Sequence, residues 1–138
     1  MAVTYPATIK AEPTGGFCVQ FVDLEEAFTD GDTLEEALFN ACEVLTLTLD
    51  GRIEEGMAIP APSQGVAGAH YIAPDAKTQA VMILKEARGS RSVADLARGL
   101  GTSWAAAQRL EDPHHWPSLK QLDRAARVLG KRLVLSVE

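Results

Sequence analysis

The sequence predicts an α+β protein in two parts. An N-terminal β-β-β-α-β domain occupies residues 1–73, and an all-α helix-turn-helix domain with a C-terminal β-strand occupies residues 74–138. Three observations carry this. Residues 3–29 run in short apolar/polar alternations separated by turn residues, the period of strands. From Leu34 the apolar spacing becomes helical. Charge then separates the halves: residues 1–64 hold 2 Lys/Arg against 12 Asp/Glu, and residues 79–138 hold 10 against 6. The net charge of −6 therefore hides −10 at one end and +4 at the other.

Val3–Lys10 alternates without a slip, placing Val3, Tyr5, Ala7 and Ile9 on the inward face of a first strand. Pro6 removes an amide donor, so this strand is expected at an edge, or paired only on its other side. Pro13-Thr14-Gly15-Gly16 makes the turn. Phe17–Val22 returns with Phe17, Val19 and Phe21 on one face, and Ala27-Phe28-Thr29 is a short third strand. Thr33 and Glu36 read as a capping box, opening a helix that runs to about Arg52. Its inward stripe is Leu34, Ala37, Leu38, Ala41, Leu45 and Leu49. Met57–Gly68, rich in Pro, Ala and Gly, is loop, and His70-Tyr71-Ile72 is a fourth strand.

In the second half, Asp75–Arg88 is a helix that buries Ala80, Ile83, Leu84 and Ala87. Ser118–Leu129 is a closing helix with Leu119, Leu122, Ala125, Ala126 and Leu129 inward, stopped by Gly130. Lys131–Val137 then reads as a strand. A lone strand needs a partner for its backbone groups. Pairing through Leu133, Val134, Leu135 and Val137 with a second chain satisfies it, which implies a homodimer or higher even oligomer.

The stretch Ser92–Asp112 organises this half. Val93, Leu96, Ala97 and Leu100 recur at helical spacing, a break follows at Gly101-Thr102, and Ala106, Ala107 and Leu110 continue. Thr102 is the expected N-cap of the second helix. Gly101 supplies the positive φ of a tight turn, and Ala97 is small where the helices cross. This is the grammar of a helix-turn-helix, with an ordinary helical hairpin as the alternative. Ser103–Glu111 is then the recognition helix, with Ser103, Trp104, Ala105, Gln108 and Arg109 on or beside its DNA-facing side. Gln108 can pair with both groups of an adenine edge. Arg109 either bonds a phosphate or braces Glu111. Trp104 either touches DNA or packs on Leu119 or a dimer mate.

Catalysis is not expected. Asp23, Glu25, Glu26, Asp30 and Asp32 crowd one loop region, without the separated placement a two-metal site requires. His114 and His115 lack partners at zinc spacing. Cys18 and Cys42 are read as buried, reduced thiols of a cytoplasmic protein. No apolar run approaches membrane length, and no cofactor or metal is implied.

Several fragments, weak singly and specific in their order, make the chain resemble the HicB antitoxins of bacterial toxin–antitoxin pairs, in the variant that carries a helix-turn-helix. They are Tyr5-Pro6, Gly15-Gly16-Phe17, Phe21, Asp23-Leu24, Thr29, Gly31-Asp32-Thr33, Glu35-Glu36-Ala37, Glu54-Glu55-Gly56 and Ile59-Pro60 in the first half. Leu96-Ala97, Leu100-Gly101, Asp112-Pro113-His114 and Leu129-Gly130-Lys131-Arg132-Leu133 follow in the second. The resemblance implies a partial RNase-H-like first domain that masks a small basic ribonuclease toxin, HicA. It also implies a second domain that represses the shared operon as a dimer on an inverted-repeat operator. The toxin-facing surface is then expected around Asp23, Leu24, Glu25, Glu26 and Asp30. Two places depart from the pattern. Relatives often carry a Pro-Asp-Leu-Pro-Gly-Cys type loop where this chain has Val22–Ala27, and Trp104 stands where such motifs commonly carry Gln. The alternative function is a stand-alone dimeric repressor whose acidic domain senses a ligand or another protein.

Overall fold

The computed structural model describes residues 3–138, and the chain divides into two compact units, Met1–Thr78 and Gln79–Glu138. The expected boundary lay at 73/74. The first unit keeps the start of the following helix.

Strands β1 (Tyr5–Ala11), β2 (Phe17–Phe21), β3 (Phe28–Gly31) and β4 (His70–Ile72) form one antiparallel sheet in the order β3-β2-β1-β4. Ala7 stands opposite Phe21 and Ile9 opposite Val19, so the apolar residues of both runs share a face. Tyr5, Ala7, Val19 and Phe21 are buried there. The expectation that Pro6 marks an edge is corrected: β1 lies inside the sheet, between β2 and β4. Pro6 is tolerated because it falls where the β2 ladder ends, and its carbonyl still accepts from Val22 N–H at 3.0 Å.

Helix α1 (Leu34–Glu54) covers the sheet, packing against β3, β2 and β4. Thr33 Oγ1 accepts from Glu36 N–H at 3.1 Å, which satisfies one of the helix's orphan donors. Ala37, Ala41, Leu45 and Leu49 are fully buried at four-residue spacing, while Leu34, expected inward, is exposed at the first helical position. Gly31 fixes the closeness of this packing. A Cβ there would lie 2.4 Å from the Ala37 backbone nitrogen. Asp50 is a buried carboxylate near the end of α1. Thr78 Oγ1 donates to it at 2.6 Å, and Lys77 Nζ stands 3.7 Å away. Those bonds bind the first turn of helix α2 (Ala76–Arg88) into the first unit.

The loop between α1 and β4 is held at several points. Tyr5 Oη donates to Pro60 O (2.7 Å) and Tyr71 Oη to Ser63 O (2.9 Å), and the Asp23 carboxylate accepts from Ser63 N–H (2.8 Å) and Oγ (2.5 Å). The Pro-, Ala- and Gly-rich loop is thus fastened to its own unit.

The second unit is helical. Helices α3 (Val93–Leu100), α4 (Trp104–Arg109) and α5 (Leu119–Val128) follow α2. Leu84, Leu96, Ala97, Ala107, Leu110, Ala125 and Leu129 form the core, with Ala87, Val93, Leu100, Leu122 and Val128 packed around it. Leu119, expected inward, is 63% exposed, because it is the first residue of α5. A complete capping box stands there instead of at α1: Gln121 N–H donates to Ser118 Oγ, and Ser118 N–H to Gln121 Oε1. α3 and α5 lie close together at Gly99, where a Cβ would meet Val128 Cγ1 at 2.3 Å. The expected last strand is corrected too: residues 131–138 form no strand in the single chain, and Val134, Leu135 and Val137 are exposed. No strand of the second unit runs beside them, so nothing within that unit can complete a ladder.

Candidate functional site

Two surfaces were singled out from the sequence, one on each unit. The first is built on the turn between α3 and α4. Gly101 ends α3 in the left-handed region (φ 66°), and Thr102 N–H reaches back to Ala97 O at 3.0 Å. That six-to-one bond satisfies a terminal carbonyl and reverses the chain within three residues. The N-cap of α4 is Ser103, not Thr102: its Oγ accepts from Ala106 N–H at 3.1 Å. Ser103 therefore already has a structural task, one residue outside the helix.

On α4 itself the small and aliphatic residues decide the orientation. Ala107 and Leu110 are buried, so Trp104, Ala105, Gln108 and Arg109, at i, i+1, i+4 and i+5, share the outward face. All four are exposed. Gln108 and Arg109 make no side-chain bond among the described residues. Trp104 is 57% exposed, and with Leu119 also exposed the indole is not packed into the core. Bracing of Glu111 by Arg109 is corrected as well. The Glu111 carboxylate, buried just past α4, takes both prongs of the Arg88 guanidinium instead, at 2.6 and 2.8 Å. The Glu111 carboxylate holds the Arg88 pKa above its ordinary value. Arg88 also donates to Arg91 O (2.5 Å), and Arg91 donates to Leu129 O (2.8 Å). One chain of charge-assisted bonds thus ties the base of α4 to α2 and to the end of α5. Sequence spacing gave no sign of a pairing across so many residues.

The second surface is the acidic loop between β2 and β3. Most of its residues are engaged internally. Leu24 is fully buried and belongs to the core, so as a surface contact it is corrected. Asp23 holds Ser63, as described above. Glu26 forms a two-pronged pair with Arg52 of α1, at 2.7 and 2.9 Å. The hydrogen bonds from Arg52 lower the Glu26 pKa to about 2. Gln20 Nε2 gathers the loop carbonyls of Leu24, Glu25 and Ala27. What remains outward are the carboxylates of Glu25 and Asp30. Two further residues face outward that are not among the expected contacts, Phe39 and Leu47 of α1, 64% and 71% exposed. Their signal was available: they stand half a turn away from the Ala41 and Leu45 stripe.

Nucleophilic or metal chemistry has little to build on. Cys18 and Cys42, expected to be buried, are half-buried free thiols. A hydrogen bond with Glu12 raises the Cys18 pKa, and burial raises that of Cys42; both changes disfavour the thiolate. Among the described residues, no group of His, Cys, Asp and Glu is arranged to hold a metal ion.

A family model described as the HicB_like antitoxin of bacterial toxin-antitoxin system matches residues 4–83. The chain is 33% identical over 133 residues to Antitoxin HicB of Escherichia coli K12, covering 95% of this chain and 96% of that one. It is 36% identical over 133 residues to Antitoxin HicB 2 of Photorhabdus laumondii, covering 95% and 94%. Among solved structures, a toxin-antitoxin complex from Streptococcus pneumoniae aligns with a TM-score of 0.47 at 22% identity, over 78% of this chain and 95% of that one.

Proposed function

Because the chain belongs to the HicB-like antitoxin family of bacterial toxin–antitoxin systems, we propose that it masks a small basic HicA-type ribonuclease toxin and represses its own operon as a dimer on operator DNA. The family is one of antitoxins, not of enzymes. The observation that carries the two-part reading is the charge of the two units. Met1–Thr78 holds 3 Lys/Arg against 13 Asp/Glu, or −10, and Gln79–Glu138 holds 10 against 6, or +4.

Each unit then suits a partner of opposite sign. The acidic unit, a partial RNase-H-like fold in this reading, attracts a basic toxin and obstructs the approach of RNA to it. Charge complementarity speeds the encounter, while buried apolar contacts hold the complex. The basic unit acts as a helix-turn-helix, with α4 in the major groove and Gln108, Arg109, Trp104 and Ala105 towards the bases and backbone. Ser103 contributes by fixing the start of α4. The tail residues Val134, Leu135 and Val137, exposed in one chain, and the half-buried Leu133 pair with those of a second chain and set two α4 helices side by side. Half-sites then lie about 10 base pairs apart or a multiple of that. Among the described residues no helix is long and apolar enough to cross a membrane.

The test has two arms. Co-expression with the adjacent reading frame should relieve that frame's toxicity, and the two proteins should co-purify. In the second arm, a library of operator variants is bound at two salt concentrations. Gln108→Ala should cost about 1–3 kcal/mol and relax preference at one symmetric position, whereas Arg109→Ala should weaken all sequences alike and flatten the salt dependence. If Gln108→Ala leaves affinity and base preference unchanged, α4 is not the reading helix.

A further inference from the structure

We propose that the outward face of α1, centred on Glu43 between Phe39 and Leu47, is the surface on which the basic toxin docks; the proposal rests on the toxin-binding reading above. At 3.6 residues per turn, Glu36, Phe39, Glu43 and Leu47 fall opposite the buried Ala37, Ala41, Leu45 and Leu49. Phe39 and Leu47 are two turns apart, each more exposed than not, and no neighbouring element covers them. Glu36 and Glu43 are exposed on the same face. Asn40 Nδ2 donates to Asp30 O at 2.9 Å, which ties the edge strand β3, with its exposed Asp30, to the rim of this face.

The combination specifies its occupant. Two large apolar side chains with the Glu43 carboxylate between them and those of Glu36 and Asp30 nearby suit a partner that presents apolar residues beside Lys and Arg. A second copy of the chain is the wrong occupant. In a two-fold contact centred on the patch, Glu43, midway between Phe39 and Leu47, meets its own equivalent, and two desolvated carboxylates repel. The β2–β3 loop is the poorer platform. Asp23 and Glu26 are already bonded within the fold, and Leu24 is buried.

The experiment uses the full chain and the separately purified protein encoded by the adjacent reading frame, with kinetics measured at several salt concentrations. The double variant Phe39→Ala/Leu47→Ala should raise Kd about 30-fold or more, chiefly through faster dissociation. Glu43→Lys should slow association several-fold and flatten its salt dependence, and it serves as the second variant should the double change disturb folding. Phe28→Ser is the control. Phe28 is as exposed as Phe39 but pairs with Gln20 on the sheet face turned away from α1, so binding should be unchanged. Wild-type affinity in both α1 variants overturns the proposal while leaving the toxin-binding reading intact. So does a result in which the double variant dissociates an oligomer without touching toxin affinity. Failure of the wild-type chain to bind overturns that reading, and the proposal with it.

Discussion

Replacing Gly31 with alanine adds one methyl group where the fold has no room for it. The new Cβ would stand 2.4 Å from Ala37 N, 2.8 Å from Ala37 Cα and 2.9 Å from the Glu36 carbonyl carbon. Ordinary contact begins at 3.4 Å, so β3 and the first turn of α1 must part by about 1 Å. These three nearest atoms are all backbone, which no side-chain rotation can relieve. Overpacking of this kind costs about 1–3 kcal/mol, and a rigid obstruction places the cost at about 3. At about 4–8 °C per kcal/mol for a unit of this size, melting of the first unit should fall by about 12–24 °C. Gly51→Ala is the counterpart. It lies within α1 with nothing inside 4 Å of its added Cβ, so the change should stabilise by about 0.5–1 kcal/mol. The two variants alter the unfolded chain in the same way, so their difference reports the folded state alone. Circular dichroism melts and urea titrations of both give the answer. A Gly31→Ala protein melting within about 2 °C of the parent would mean that the approach of β3 to α1 is looser than described.

Three further outcomes are expected. The Glu26 pKa is depressed, so the Arg52 pair contributes stability in full above the usual carboxylate value of 4.5 and loses it as pH falls towards about 2. Glu26→Gln should remove that part of the acid dependence of melting, and carboxylate-detected NMR should find Glu26 titrating near 2. Gly99→Ala should destabilise the second unit through its clash with Val128 Cγ1, and Val128→Ala should restore most of the loss in the double variant, read by thermal melting. Ending the chain after Gly130 should yield a monomer in sedimentation that binds operator poorly and toxin normally; a truncated protein that sediments as a dimer rules out tail-mediated assembly.

Periodicity made most of the architecture legible, because burial itself is periodic. The alternation around Tyr5, Ala7, Val19 and Phe21 and the four-residue stripe of α1 both appear where the sequence places them. The Gly101 turn was legible for a different reason, since few residues adopt its left-handed backbone. Errors gathered where one residue has two defensible roles. Threonine and serine are both good N-caps, and only the observed turn length selects Ser103 over Thr102. Leu34 and Leu119 obey their helical stripes yet sit at first helical positions, where no neighbour covers them. Pro6 in an interior strand depended on where β2 ends, which is a matter of register and not of composition. Of the candidate surfaces, the outward face of α4 followed from spacing. The engagement of Asp23 with Ser63, and of Glu26 with Arg52, could not, because such partners meet only once the chain is folded.

The fastening of the segment after α1 also bears on how the chain meets proteases. Tyr5, Asp23 and Tyr71 grip it at Pro60 and Ser63, and Tyr71 Oη accepts from Val66 N–H at 3.2 Å. An endoprotease needs an extended, released stretch of backbone to seat in its cleft, and this stretch must first surrender those bonds. Residues 131–138, exposed except at the half-buried Leu133 and outside any ladder in the single chain, impose no such requirement. Limited digestion should therefore trim the carboxyl end before it opens the proline-rich stretch. A second chain paired along that end would slow the trimming, so the rate of the first cut becomes a measure of assembly.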